Sequence, residues 1–294
     1  MTMRSRLLWG AMLSLLCLTA GGLRAQEAEA YTERLPKNMG RLQMVPIPAG
    51  QVTLDDPANP GTAVVVDVPA LYMSKTEVRW DEFSSYMYRF DLTDAQAAAG
   101  FDSENRPSMP YVPPDRGFGT DGFPVISVSY QNAVKFCEWL SKLTGKTYRL
   151  PTEAEWVWAA LGGELGTDAA SCEPLTAEQL DAVAWYGRTM ANPNNGGQPG
   201  TMPVGKQEAN GYGLFDMFGN VREWVTGLDD VPVTKGGGWV DEADALQPYA
   251  RIYQDDSWRL TDPQDPKSQW WLADGPFVGF RVVCEEGPAA EAGG

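Results

Sequence analysis

Asp241, Glu242 and Asp244 place three carboxylates within four residues, and paired carboxylates can divide acid–base work between them. The plainer reading of the same residues is an acidic, solvated loop, and it outweighs the catalytic one. Nucleophilic chemistry would fall to sulfur. Cys17 sits in an apolar leader, which leaves Cys137, Cys172 and Cys284. No C-x-x-C pair suggests a metal or redox site. The chain contains no histidine, so catalytic triads with an imidazole base, and every metal centre built on imidazole, are excluded.

The elements that must position these groups follow from pattern. Met1–Arg6 is basic, Leu7–Ala20 is apolar, and Ala25 closes a short polar segment, which are the parts of a cleaved signal peptide. The apolar run is shorter than the ~20 residues of a spanning helix. Leu16 stands where a lipidated Cys17 would want a small neighbour, so lipidation is not expected. Three of the 23 basic residues and no acidic residue precede Gln26, leaving 20 basic against 39 acidic, a net charge of −19 for the mature chain and −16 for the whole. Such a surface repels nucleic acid and anionic lipid. It is the balance of an acidic soluble protein, with affinity for cations or a basic partner as the sharper alternative.

Residues 1–25 are thus expected as signal peptide, 26–40 as linker, 41–286 as one domain and 287–294 as a disordered tail. Val64–Val68 reads as a strand. Helical spacing predicts a helix over Trp80–Phe90 and another from Tyr130 to Leu143, capped by Ser129 and ended by Gly145. Thr152 and Glu155 form a capping box that opens a helix through Leu161. Prolines and glycines make 94–124 a long loop, Val125–Val128 a short strand, and the chain from Gly162 onward mostly loops and short strands. With 31 Gly, 22 Pro and 11 Trp, the fold class is α+β, with ordered loops pinned by aromatics.

Arg149–Trp156 reads RLPTEAEW, Asn210–Trp224 reads NGYGLFDMFGNVREW, Gly236–Trp239 reads GGGW, and Gly279–Arg281 reads GFR. Upstream stand PIPAG at Pro46–Gly50, KTEV at Lys75–Val78 and PVISVSYQNAVKFCEWL at Pro124–Leu140. In type and order these resemble the motifs of the formylglycine-generating-enzyme (sulfatase-modifying-factor) family over residues 41–286. The resemblance implies a C-type-lectin-like fold with few helices, small twisted sheets and much irregular loop.

It also implies a site. Family enzymes oxidise a substrate cysteine with a copper-binding cysteine pair after RGGSW, because soft thiolates select copper. Counted from that motif, the pair falls at Asp241 and Leu246. A sulfoxide-forming branch holds iron with histidines, which are absent. Copper, haem and nucleotide are therefore not expected. The family's calcium site, carried over by position, comprises the carbonyls of Phe218, Gly219 and Val221 and the side chain of Glu223, with Arg222 in place of the usual Trp; the alternative is a metal-free turn whose glutamate binds backbone amides. The family disulfide carries over to Cys137 and Cys284, the latter two residues beyond its usual place. Trp239, Asp241, Glu242 and Asp244 become a candidate ligand or partner surface, with Trp258, Trp270 and Trp271 expected mainly as anchors.

The resulting expectation is a non-catalytic, extracytoplasmic binding or scaffold protein, an accessory subunit of an envelope assembly, that binds protein partners. An enzyme of the family with altered chemistry, or a lectin-like ligand binder, stands as the alternative.

Overall fold

The computed structural model describes residues 28–110, 112–163, 174–187 and 191–287. The expected signal peptide, Cys172 and residues 288–294 of the expected tail lie outside them. The chain runs β1 (Tyr31–Arg34), β2 (Arg41–Ile47), β3 (Gly50–Asp55), β4 (Ala63–Val68), β5 (Leu71–Ser74), α1 (Trp80–Met87), α2 (Asp94–Ala98), α3 (Tyr130–Thr144), β6 (Tyr148–Arg149), α4 (Glu153–Leu161), α5 (Ala177–Val183), β7 (Arg222–Thr226), β8 (Pro232–Lys235), β9 (Val278–Gly279) and β10 (Val283–Cys284). Three small sheets result, in the orders β1-β2-β5-β10-β6, β3-β4 and β8-β7-β9. The architecture is α+β, with much of the chain in loops.

Local signals fix the helices where they were expected. Ser129 Oγ accepts from the Asn132 amide to start α3, and Gly145 ends it at φ +74°. The Thr152 hydroxyl accepts from the Glu155 amide, and the Glu155 carboxylate accepts from the Thr152 amide. Arg149 grips the same glutamate through two bonds of 2.7 Å, so the motif ties itself into one rigid corner. Every residue of α4 is buried. A helix buried all round cannot show an amphipathic stripe, and only its caps announce it.

Several boundaries differ from expectation. Tyr31–Arg34, expected within the linker, pairs antiparallel with β2 from Tyr31↔Met44 to Arg34↔Arg41. Its charged residues suit an edge strand with one solvated face. Helix α2 lies within the expected loop, opened by a Thr93–Gln96 capping box, and α5 lies in the stretch expected to be mostly loops and short strands. Val125–Val128 makes only an isolated bridge, Val128 to Trp271.

The expected Cys137–Cys284 bridge is not formed: both are buried free thiols. Cys284 Sγ instead donates to the Glu286 carbonyl at 3.2 Å. Val282 and Cys284 face the same core while Val283 faces the other, so the two-residue shift does keep the side. It also displaces the thiol about 6.6 Å along the strand, close to the whole Cα span a disulfide allows.

Candidate functional site

Strand β7 carries two adjacent charges to opposite faces, as the pleat requires. Glu223 points into the core. Its Oε2 accepts from Arg281 Nε at 2.6 Å and from Trp156 Nε1 at 2.7 Å, and its Oε1 accepts from Arg281 Nη2 at 2.6 Å. The remaining Arg281 donors reach the carbonyls of Ser74, Phe215 and Asp216. Glu77 and Asp216 complete this buried group. Both Glu77 carboxyl oxygens and Asp216 Oδ1 have no hydrogen-bond partner among the described residues. Burial, reinforced by Asp216 and Glu223, holds the Glu77 carboxyl well above the usual carboxylate range against the pull of Arg281. Burial likewise raises Asp216 to about 6.

Arg222 points the other way. Its Nε donates to Asp241 Oδ2 at 2.7 Å and its Nη2 to Asp241 Oδ1 at 2.5 Å. The guanidinium lies 4.4 Å from the Phe277 ring centroid and 5.3 Å from that of Trp258, the stacked, bidentate geometry for which Arg is suited. The Gly238 amide also donates to Asp241 Oδ2, at 2.9 Å. Asp241 is thereby fully committed. Leu246 is completely buried in the second core cluster. Gly237 makes room for it: a Cβ there would come within 2.6 Å of Leu246 Cδ1.

Glu242 and Asp244 are exposed; Glu242 precedes a single turn of 3-10 helix, Ala243–Ala245, and Asp244 lies within it. Asp241 is thus held by Arg222 and the Gly238 amide, whereas Glu242 and Asp244 are exposed to solvent. Of the four tryptophans, Trp258, Trp270 and Trp271 are buried, whereas Trp239 is half-buried. Trp239 packs edge-on against Phe118 and donates to the Pro276 carbonyl at 3.1 Å. Trp239 lines an open pocket of about 480 Å³ with Gln198, Pro199, Val240, Asp274, Pro276 and Phe277.

The expected calcium donors share one turn. Gly219 sits at φ +78°, where a Cβ would lie 2.5 Å from the Trp185 carbonyl oxygen, and Asn220 follows at φ +53°. The carboxylate, however, already accepts three bonds of its roughly four-lone-pair capacity, and a guanidinium neutralises it. A calcium ion takes 6–8 oxygens and draws strength from unneutralised carboxylates. This donor set does not fit the ion, and Glu223 acts as the internal partner of Arg281. Nor, among the described residues, does any group of three or more His, Cys, Asp or Glu have an arrangement that could hold a metal.

A family profile described as the sulfatase-modifying factor enzyme 1-like domain matches residues 29–285. The chain belongs to that family. A mouse relative named formylglycine-generating enzyme is 32% identical over 231 residues, 65% of this chain and 59% of its own length. A bovine relative named inactive C-alpha-formylglycine-generating enzyme 2 is 34% identical over 129 residues, 42% of this chain and 40% of its own. The chain thus spans about two-fifths to three-fifths of these curated relatives. Among solved structures, Treponema denticola variable protein 1 superposes with a TM-score of 0.59 at 22% identity, over 87% of this chain and 99% of that one, a likeness of fold.

Within this sulfatase-modifying-factor-like domain, the sequence motifs gather at β7. RLPTEAEW supplies Trp156, GNVREW supplies Arg222 and Glu223, and GFR supplies Arg281. The partnership of Arg222 with Asp241 was not foreseen. Its signal was available: Arg222 in GNVREW and Asp241 just after GGGW carry opposite charge. KTEV read only as a segment after the opening strand, so the Glu77 contribution to the Arg281 group was missed too.

Proposed function

We propose that this domain is a non-catalytic, extracytoplasmic binding or scaffold protein whose recognition face is the pocket at Trp239. The observation that carries the reading is the Arg222–Asp241 clamp. Where the family pattern calls for a thiolate, an aspartate is bound bidentately by a guanidinium, and the second position is a core leucine. Neither side chain offers the soft ligand that cuprous ion requires. The bovine relative's name, with its word inactive, is consistent with a family that keeps the fold without the chemistry. A half-buried Trp that lines an open pocket is the kind of residue that anchors protein interfaces, so the occupant is taken to be a protein partner within an envelope assembly. No helix among the described residues is long and apolar enough to cross a membrane.

The test has two arms. The mature chain, loaded with copper(I) and given a cysteine-containing peptide, is expected to yield no aldehyde by mass spectrometry. Gentle purification of the native protein is expected to bring down a defined assembly that Trp239→Ala disrupts while the isolated variant stays folded. Copper-dependent aldehyde formation, or a solitary protein indifferent to the substitution, overturns the proposal.

A further inference from the structure

A second concavity, of about 370 Å³, sits at the junction of β2, the segment after β5 and the start of α1. It shares no lining residue with the pocket at Trp239. In a chain of net charge −16, its reachable charged side chains are mainly basic: Arg41, Lys75 and Arg79. Glu82 also lines it but is spent on Arg79, accepting from that residue's Nε at 2.9 Å and its backbone amide at 2.7 Å. Glu77 contributes to the wall, yet its carboxyl oxygens are sealed from solvent and belong to the Arg281 group behind it. Arg41 and Lys75 make no ion pair among the described residues. Arg41 is exposed on β2, and the Lys75 ammonium rests 5.1 Å from the Phe215 ring centroid, which holds it in place.

The surrounding backbone is fixed. The Lys75 amide donates to the Gln43 carbonyl at 2.8 Å, and the Phe215 amide donates to the Lys75 carbonyl at 2.9 Å. The cations thus stand on a rigid frame formed by residues distant in sequence. A volume near 370 Å³ falls in the range of small-molecule sites. Two cations without an ion-pair partner among the described residues, beside a neutralised pair in one concavity, concentrate anions against the repulsion of the whole protein.

We propose that this pocket binds a small ligand through its carboxylate or phosphate group, with Arg41 and Lys75 as the charged contacts. Titration calorimetry of the full mature chain at constant ionic strength tests it, with inorganic phosphate and malonate as separate probes and chloride as the control. Saturable binding of one probe at a stoichiometry of one, weakened at least tenfold by Lys75→Glu and by Arg41→Glu, is the expected result. Which probe binds separates a phosphate site from a carboxylate site. Unfolding curves of both variants check that the fold survives, and Lys75→Gln serves as a milder variant if it does not. Failure of both probes to bind at 10 mM (about a hundredfold above a Kd worth ~5.5 kcal/mol), or binding unchanged in the variants, overturns it.

Discussion

The two faces of β7 hold the same chemistry under different burial. On one, Glu223 and Arg281 are 1% and 0% exposed; on the other, Arg222 and Asp241 are 12% and 11% exposed. The inner pair is braced by Trp156 and three carbonyls and sits among further carboxylates. The outer pair is stacked on aromatics at the edge of a pocket. Identical ionic groups thus serve different ends: the inner pair satisfies groups that cannot reach water, while the outer pair fixes Asp241 beside the aromatics at the pocket edge.

The largest effect should come from stripping the inner pair. Glu223→Ala leaves a buried guanidinium without its charge partner and is expected to cost about 3–5 kcal/mol, read from urea unfolding. Arg222→Ala should cost less, about 1.5–3 kcal/mol for lost hydrogen bonds to a charged group. Equal losses at the two sites would erase the contrast drawn between the faces.

The third prediction is a pH dependence confined to the inner face. The Glu77 carboxyl is held above its unfolded value, so its contribution is fully present below the unfolded pKa, ~4.3. That contribution is lost as pH rises through the folded value. Asp216 behaves likewise, with loss on passing about 6. Urea midpoints should therefore decline as pH rises from about 4 through about 6, with a shallower decline in Glu77→Gln and the Asp216 part persisting. An unchanged slope in that variant would place the strain elsewhere. The smallest expected effect is that of calcium. Since Glu223 already has its cation, millimolar calcium or a chelator should shift the melting temperature by less than about 1 °C. An ion held a hundredfold above its Kd would add ~2.7 kcal/mol, a shift of several degrees.

Much of the frame could be read directly from the residues. Ser129, Gly145 and the Thr152–Glu155 box marked helix ends because caps act over three or four residues. The Val64–Val68 run marked β4. Helix α4 lacked a stripe and was legible by its cap alone, and α5 was missed although Thr176 and Gln179 form another such box. The charged edge strand β1 resembled a linker because half of its side chains face solvent. The disulfide expectation failed over a translation along β10 that face parity does not report.

What the sequence by itself determined is the family, the capped helices and the absence of imidazole. Those are matters of residue identity and short-range spacing. Only the tertiary structure decided what Asp241 and Glu223 do. Their partners lie 19 and 58 residues away along the chain. Electrostatic commitment depends on distance and burial, which emerge only after β7 has been brought between β8 and β9.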